Sequence, residues 1–545
     1  MFLNFKQRFY IWLFFFFSFI FLIWLELFNL QVVSSKKIVS KAKLQFSMPK
    51  IILRGDIRDR NGSLLALDLV TYDIYNNVDK SKAIPEDKVI KLSKILRISQ
   101  QNLIKKLNQR KNTKIFPEVS LDIMKKIKDS QIDFVHFEPR VSRIYPLNKM
   151  ASHLLGYVNT DHIGQNGVEY SHEDLLTKIS TKTTNKLYPQ GNDIVLTIDS
   201  ALQEYAEKEL IEAIQKSRAE RGSILVISPK TGEIFAWAVY PNYNPNFYYK
   251  EKSIKNWAIT DIYQPGSTFK IVTISSALEN MLIDENFTYF DTGSITVGKR
   301  ILRNHNKTKP QNINLLELFK QSSNVASAHI GLSMPPEVFY NSIQKFMIGT
   351  RTKVDLPGES LGLLLNHKKW RTIDSATTGF GQGAVSVTPI QLACAVNAVA
   401  NHGIWVQPHI LKGTWDPEYN LINESPYQPI IEEVISPEVA DYVSGLLKQS
   451  VKESVEAMAY IGGNVPGYEV AGKTGTAQKI RADGKGYLAG HTVASFIGYL
   501  PASDPKILTL VVVDDPKTGG GWGNTVCGPI FNNVAKMAAK RILEN

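Results

Sequence analysis

Cysteine is nearly missing from this chain: among 545 residues there are two, Cys394 and Cys527. Two thiols close one bridge at most, so neither a disulfide framework nor a Cys-rich zinc site is available. The ten histidines include no His-Glu-x-x-His pair, which leaves a zinc peptidase without support. No segment repeats at a period of about 20 to 50 residues, and a solenoid or propeller is thereby excluded. Acidic residues are in deficit, 51 against 63 basic ones, for a formal net charge of +12. That modest excess suits an anionic surface or polymer but does not establish nucleic-acid binding, and no nucleic-acid partner is expected. With 43% hydrophobic and 21% charged residues, the chain is neither a disordered polymer nor a multi-span membrane protein. At about 150 residues per domain, its length predicts three or four units.

One long apolar run is present, at the N-terminus. Phe9 to Leu25 is apolar apart from Ser18, and the run extends past Glu26 through Leu27, Phe28 and Leu30. About 20 apolar residues span a bilayer. A cleaved secretory signal would have a shorter apolar stretch and a small-x-small cleavage site, and neither is apparent. The reading is therefore a cytoplasmic tail over 1–8 and one transmembrane anchor over 9–30. Charge counting opposes this orientation, because Lys36, Lys37, Lys41 and Lys43 follow the run while Lys6 and Arg8 precede it. A long C-terminal body translocates despite nearby charge, so the body is placed outside partly on the chemistry below.

Beyond the anchor, the pattern predicts an elongated stalk over 36–185 and a large domain over 190–545. Arg54-Gly-Asp-Ile-Arg-Asp-Arg-Asn-Gly62 reads as an extended segment entering an Asn-Gly turn. From about Glu86 to Asp129 the pattern is helical, with Val89, Leu92, Ile95 and Leu96 at helical spacing. Ser180 to Gly191 reads as a linker. In the large domain, helical periodicity runs from Ser200 to about Ser217. Ile224 to Ser228 and Glu233 to Ala238 flank the turn Pro229-Lys-Thr-Gly232 as a hairpin. Thr492 to Leu500 and Ile507 to Val513 supply further strands, and a helix runs from about Ile530 to Leu543. Strands at both ends around a helical middle predict an α+β domain whose sheet joins distant segments.

Three short motifs carry chemistry. Ser-x-x-Lys begins at Ser34, Ser40, Ser47, Ser267, Ser342 and Ser503, so spacing alone selects none. Ser267 differs by context: Tyr-Gln-Pro-Gly precedes it, and a buried helix is predicted through Leu278. At a helix start Ser267 meets the positive end of the dipole, and Lys270, three residues on, shares its face. A neutral Lys270 can take the Ser267 proton as the oxygen attacks a carbonyl. Lys-Thr-Gly begins at Lys230, Lys473 and Lys517; the first fits a hairpin turn and the third a glycine-rich loop. The second, within Val470 to Gln478, fits a strand bordering a cleft. There Lys473 would help to keep Lys270 neutral and attract a substrate carboxylate, Thr474 and Thr476 would hydrogen-bond that carboxylate, and Gly475 would let substrate approach the backbone. Between them Ser322-Ser323-Asn324 offers a hydroxyl for proton relay and an amide to hold a substrate backbone; by itself it reads as a polar helix end.

The ordered set Ser267-x-x-Lys270, Ser322-x-Asn324, Lys473-Thr-Gly475 resembles the penicillin-binding proteins and serine β-lactamases. Tyr-Gln-Pro-Gly-Ser267-Thr-Phe-Lys and Gly-Lys473-Thr-Gly-Thr-Ala-Gln narrow the resemblance to class B penicillin-binding proteins. Arg54 to Gly62, Arg143-Ile-Tyr-Pro146, Gly164-Gln-Asn-Gly-Val-Glu169, Gly379-Phe-Gly-Gln-Gly383 and Val387 to Leu392 extend it along the chain, whereas Glu86 to Pro139 matches in general character alone. Gln264 stands where relatives often have an acid, and Trp257 where they often have Arg.

The resemblance implies a penicillin-binding, serine β-lactamase-like transpeptidase domain on the stalk, and serine-type peptidoglycan D,D-transpeptidation without metal or cofactor. It casts Ser267 as nucleophile, Lys270 as base, Ser322 as relay, and the amides of Ser267 and Thr476 as the oxyanion site. It also implies stem peptides as substrates, β-lactams as covalent inhibitors, and a single-pass protein of the bacterial plasma membrane with its catalytic domain on the external, periplasmic side. Asn324 within Ser322-Ser-Asn-Val325 resembles the division-specific, FtsI-type branch, which implies a SEDS-family glycosyltransferase and other divisome membrane proteins as partners. The alternatives are an elongation- or sporulation-specific class B transpeptidase, a D,D-carboxypeptidase, and a non-enzymatic β-lactam receptor or scaffold. A secreted β-lactamase would need neither stalk nor retained anchor, and no acidic motif of a glycosyltransferase precedes Gly191.

Overall fold

The sequence predicts a sheet assembled from both ends of a large domain, and the computed structural model builds one. It describes residues 12–13, 16–24, 51–79, 81, 83–179, 188–251, 253–305, 310–416, 421–424, 429–459, 461–481 and 486–544. The expected tail over 1–8 and much of the expected anchor over 9–30 lie outside them, as do residues 180–187 of the expected linker. Residues 12–13 and 16–24 are helical, and no helix among the described residues is long and apolar enough to cross a membrane. Contacts divide the chain into two units. In the first, Met1–Leu53 with Ile179–Gln190, the Leu53 amide donates to the Pro189 carbonyl at 2.9 Å. The second comprises Arg54–Lys178 and Gly191–Asn545.

In this second unit Gly62 takes a φ of 87°, as an Asn-Gly turn requires. Ile57–Arg58 therefore folds back antiparallel on the strand Leu64–Asn76. That strand pairs along most of its length with Val135–Ile144 and at its far end with Lys114–Val119. Helices Glu86–Leu96, Gln100–Leu107 and Leu121–Asp129 share a core with Tyr72 and Ile74, through Leu92, Leu103 and Ile127. The helical reading of Glu86 to Asp129 thus needs one correction, the strand Lys114–Val119. Its Pro117 argues against a ladder position, yet an edge strand tolerates a missing N–H, and this strand ends its sheet.

Three phrases far apart in sequence meet in a buried ion cluster. Arg54 and Arg143 approach opposite oxygens of Glu169 at 2.8 and 2.6 Å. Arg143 also pairs with Asp68 at 3.1 Å, and Arg54 with Glu173 at 2.8 Å. Glu169 is completely buried.

The large domain contributes helix α1 (Ser200–Ser217), the hairpin β1 (Arg221–Ile227) and β2 (Ile234–Tyr240), then helices α2 (Lys270–Glu279), α3 (Leu315–Gln321), α4 (Asn324–Ser333) and α5 (Pro389–Ala400). Strands β3 (Ala471–Ile480), β4 (Tyr487–Leu500) and β5 (Ile507–Asp514) and helix α6 (Gly523–Ile542) complete it. The sheet order is β3-β4-β5-β1-β2, antiparallel throughout. Its central strands are apolar on both faces because both are covered. Leu225, Leu510 and Ile497 enter the core that contains α2 and α5. Ile224, Val511 and Phe496 enter the core of α1 and α6. Cys394 and Cys527 belong one to each core and are both free. Helix α6 begins at Gly523, seven residues before the Ile530 expected from sequence. Pro529 removes one backbone bond within it, while Val526, Cys527 and Phe531 bury against the sheet on either side of the proline.

Removing Glu169 would leave two buried guanidiniums without their shared carboxylate. Glu169→Ala is expected to lower unfolding free energy by about 3–5 kcal/mol, read from urea denaturation of the full chain.

Candidate active site

Every residue of α2 from Lys270 to Leu278 is buried. A helix buried all round belongs in a core, and Lys270, its first residue, is carried inside with it at 0% exposure. The 3₁₀ turn Gly266–Phe269 leads into the helix, so Ser267 lies on the same face as Lys270, with Oγ 2.9 Å from Nζ. Gly266 has a φ of 61°. A Cβ there would sit 2.8 Å from the Thr476 carbonyl oxygen, which sets the turn directly beside β3. Its amide donates to the Gly381 carbonyl at 2.9 Å, giving the glycine-rich segment after residue 378 a structural task.

Ser322 ends α3 in the left-handed conformation, φ 52° and ψ 44°, uncommon for a residue with a Cβ. Ser323 then caps α4, its Oγ accepting from the Ala326 amide at 3.0 Å. This tight reversal turns three oxygens toward Lys270. Nζ lies 2.7 Å from the Ser322 carbonyl, 3.1 Å from Ser322 Oγ and 2.9 Å from Asn324 Oδ1.

The partners dictate how the amine is used. Burial, reinforced by the Lys473 charge, pushes the Lys270 ammonium well below its ordinary pKa, with Asp291 opposing the shift. A neutral amine has two N–H donors and one lone pair. The Ser322 carbonyl and Asn324 Oδ1 accept but cannot donate through those atoms, so they take the two N–H groups. The lone pair is left for a hydroxyl proton, and Ser267 and Ser322 both stand within reach.

Strand β3 is an edge of the sheet, so alternate amides face away from β4 toward the cleft. Lys473 is buried at 1% exposure and donates to the Thr474 carbonyl and Oγ1, both at 3.3 Å. Thr474 and Thr476 are half-buried. Thr476 Oγ1 accepts from the Gly523 amide at 3.1 Å, which leaves its own proton available to an incoming acceptor.

Two of the expected site residues also carry structural tasks. A Cβ on Gly475 would fall 2.3 Å from Ser495 Oγ and 2.9 Å from Thr268 Cγ2, so strand-to-turn packing holds this residue to glycine. Asn324, expected to hold a substrate backbone, spends its oxygen on Lys270, and its Nδ2 lies 3.4 Å from the Arg303 carbonyl. Of the two departures from the family pattern, Gln264 accepts from the Tyr487 hydroxyl at 3.0 Å. Trp257 lies under the Arg221 guanidinium, 4.5 Å from the ring centroid. Sequence reasoning passed over Asp291 and Asn304, which sit behind the Ser322–Asn324 loop in no recognisable motif.

Comparison with known proteins agrees with this arrangement. Residues 222–536 match the family model "Penicillin binding protein transpeptidase domain", and residues 52–204 match "Penicillin-binding Protein dimerisation domain". The peptidoglycan D,D-transpeptidase FtsI homolog of Mesostigma viride is 30% identical, covering 93% of this chain and 91% of its own. Stage V sporulation protein D of Bacillus subtilis is 32% identical over 93% of this chain and 81% of its own. Among solved structures, penicillin binding protein 3 of Mycobacterium tuberculosis, complexed with aztreonam, superposes with a TM-score of 0.71 at 26% identity, over 90% of this chain and 96% of that one.

Attack by Ser267 needs the unprotonated amine, so acylation should slow as pH falls through the Lys270 pKa. Lys473 holds that pKa down. Lys473→Ala should therefore move the acid limb to higher pH, measured as the rate of covalent labelling by a fluorescent penicillin across pH.

Proposed function

The chain belongs to the penicillin-binding protein transpeptidase family, in its class B, FtsI-type branch, and on that premise we propose that it is a peptidoglycan D,D-transpeptidase working through a Ser267 acyl-enzyme. The observation that carries the proposal is a fully buried Lys270 amine 2.9 Å from Ser267 Oγ, with its N–H groups engaged by acceptors.

Each step follows from a group already placed. Ser267 Oγ attacks the penultimate D-Ala carbonyl of a stem pentapeptide while its proton passes to the Lys270 lone pair. The tetrahedral oxyanion is received by the amides of Ser267 and Thr476, one from the turn and one from the edge strand. Lys473, Thr474 and Thr476 hold the terminal carboxylate. Ser322, 3.1 Å from Nζ, relays the proton from Lys270 to the departing D-Ala amine as the C–N bond breaks. An amine of a neighbouring stem then attacks the ester, its proton returns by the same route to Ser267, and a peptide cross-link remains. Water in that amine's place would give a D,D-carboxypeptidase. A β-lactam enters the same first step and leaves the serine acylated.

Stem peptides are assembled into wall outside the plasma membrane, so we place the catalytic body there, held by the N-terminal apolar run. Work at the division septum is the reading supported by Asn324 and by the FtsI homologues, with a SEDS-family glycosyltransferase supplying the glycan strands. Similarity to the sporulation protein motivates a second reading, the same chemistry at the sporulation stage.

Exposure to penicillin should add one inhibitor mass to the full chain and none to Ser267→Ala, read by intact mass spectrometry. An undiminished adduct on the alanine variant removes the nucleophile assignment. With a polymerase present, muropeptide analysis should yield cross-linked dimers; trimmed tetrapeptides alone would establish the carboxypeptidase.

Depletion in the native bacterium should produce filaments with unfinished septa, scored by microscopy. Normal vegetative division with defective spores would favour the second reading.

A further inference from the structure

The turn leading to Asn324 is two residues long, left-handed Ser322 and the cap Ser323, between helices of seven and ten residues. What fixes it lies behind it. Asn304 Oδ1 accepts the Asn324 amide at 2.9 Å and the Val325 amide at 3.0 Å, meeting two donors that the first turn of α4 cannot satisfy. Asn304 Nδ2 donates to Asp291 Oδ2 at 2.8 Å. The Ser323 hydroxyl donates to the same oxygen at 2.5 Å, and the Gly293 amide donates to Oδ1 at 2.7 Å. Asp291 is 2% exposed, and among the described residues the groups that donate to it are neutral, so a buried carboxylate sits here with no cation from them bonded to it. It ends the strand Thr288–Asp291, which pairs with Gln311–Asn314 just ahead of α3.

We infer that Asp291 is the positioning residue of the catalytic lysine, acting through Ser323 and Asn304 on the loop oxygens and through its charge on the Lys270 amine. No substrate atom is assigned to it. The inference rests on the acyl-enzyme reading above, because positioning Lys270 matters only if Lys270 serves Ser267.

Two charged groups act on the buried amine. Lys473, from β3, disfavours the ammonium, and Asp291, from behind the loop, favours it. Asp291 also faces Tyr289 on its own strand, where burial and then the Asp291 charge raise the phenol pKa. The base must be neutral to accept the Ser267 proton and must then survive as an ammonium until Ser322 draws that proton away. One nearby cation and no anion would make the first condition easy and the second costly. Asp291 supplies the second without sitting where it would bond Nζ and lock the proton on.

The test uses the full chain and the rate of acylation by a fluorescent penicillin as a function of pH. Asp291→Asn keeps size and most acceptors but removes the charge that favours the ammonium, so the acid limb should move to lower pH, opposite to Lys473→Ala. Ser323→Ala keeps the charge and cuts the tether; its acylation should be about tenfold slower, the loss of one charge-assisted hydrogen bond, with the limb in place. The double variant Asp291→Asn with Asn304→Asp restores a carboxylate and the donor count and should bring the limb back toward the native position. An unmoved limb in Asp291→Asn, at whatever amplitude, overturns the electrostatic role, and Ser323→Ala acylating at the native rate overturns the tether. Should Asp291→Asn fail to fold, Ser323→Ala still decides the tether, and Asp291→Ser, which keeps an acceptor oxygen but no charge, is read for the limb in its place. Failure of the acyl-enzyme reading looks different, since the native chain would then form no adduct at all.

Discussion

The Lys270 amine is out of water, and the rest of the catalytic domain is arranged around that one fact. Desolvating an isolated ammonium costs far more than a folded domain can spare, so a buried lysine must be paired or give up its proton. Here the nearest charged group from the strand side has the same sign, and the bonded neighbours are neutral oxygens. The fold therefore selects a neutral base. Because the lone pair points where two hydroxyls stand, the same burial that keeps the lysine neutral also aims it.

Holding that arrangement requires three walls that are not continuous in the chain. Helix α2 brings Ser267 and Lys270 as one rigid unit, since its whole circumference is packed. The reversal between α3 and α4 brings acceptors, and the edge strand β3 brings Lys473 and the free amides. These walls meet because the sheet is clamped from both faces. The cores on either side enclose its central strands, so β3 cannot shift relative to the turn that Gly266 and Gly475 allow to approach it. Substituting either glycine would push the Ser267 turn away from the strand.

How much of this was legible in the sequence depended on whether the governing interaction was local. The hairpin β1–β2, helix α1 and strands β4 and β5 follow from periodicity and turn residues, and all were placed. Ser267 was separable from five other Ser-x-x-Lys matches by its neighbours, since Pro265 and Gly266 make the turn and the apolar run after Lys270 makes the buried helix. Where tertiary contacts overruled the local pattern, the reading fell short: Lys114–Val119 pairs as a sheet edge within a segment read as helical, and α6 begins ahead of Ile530 with Pro529 inside it. Asp291 and Asn304 were invisible for a different reason. Neither has a spacing to Ser323 that any secondary structure would predict, and their task exists only once the strand Thr288–Asp291 and the following hairpin have folded against the start of α4.

The buried ion cluster and the active site follow one physical rule to different outcomes. Both bury cations completely. In the ion cluster the cations are arginines, and the outcome is pairing: burial disfavours the Arg143 charge, but Glu169 and Asp68 more than offset it and hold the guanidinium protonated. In the active site the cation is a lysine with no carboxylate bonded to it, and the outcome is loss of the proton. The choice of side chain is what makes each workable. Guanidinium keeps its charge under nearly any perturbation and offers a fork of donors, so it can join Glu169 to Asp68 and fix the register of three separate segments. An amine on a flexible stem titrates readily when desolvated. Exchanging the two residue types would leave an ion cluster that could discharge and a buried site whose base could never accept a proton.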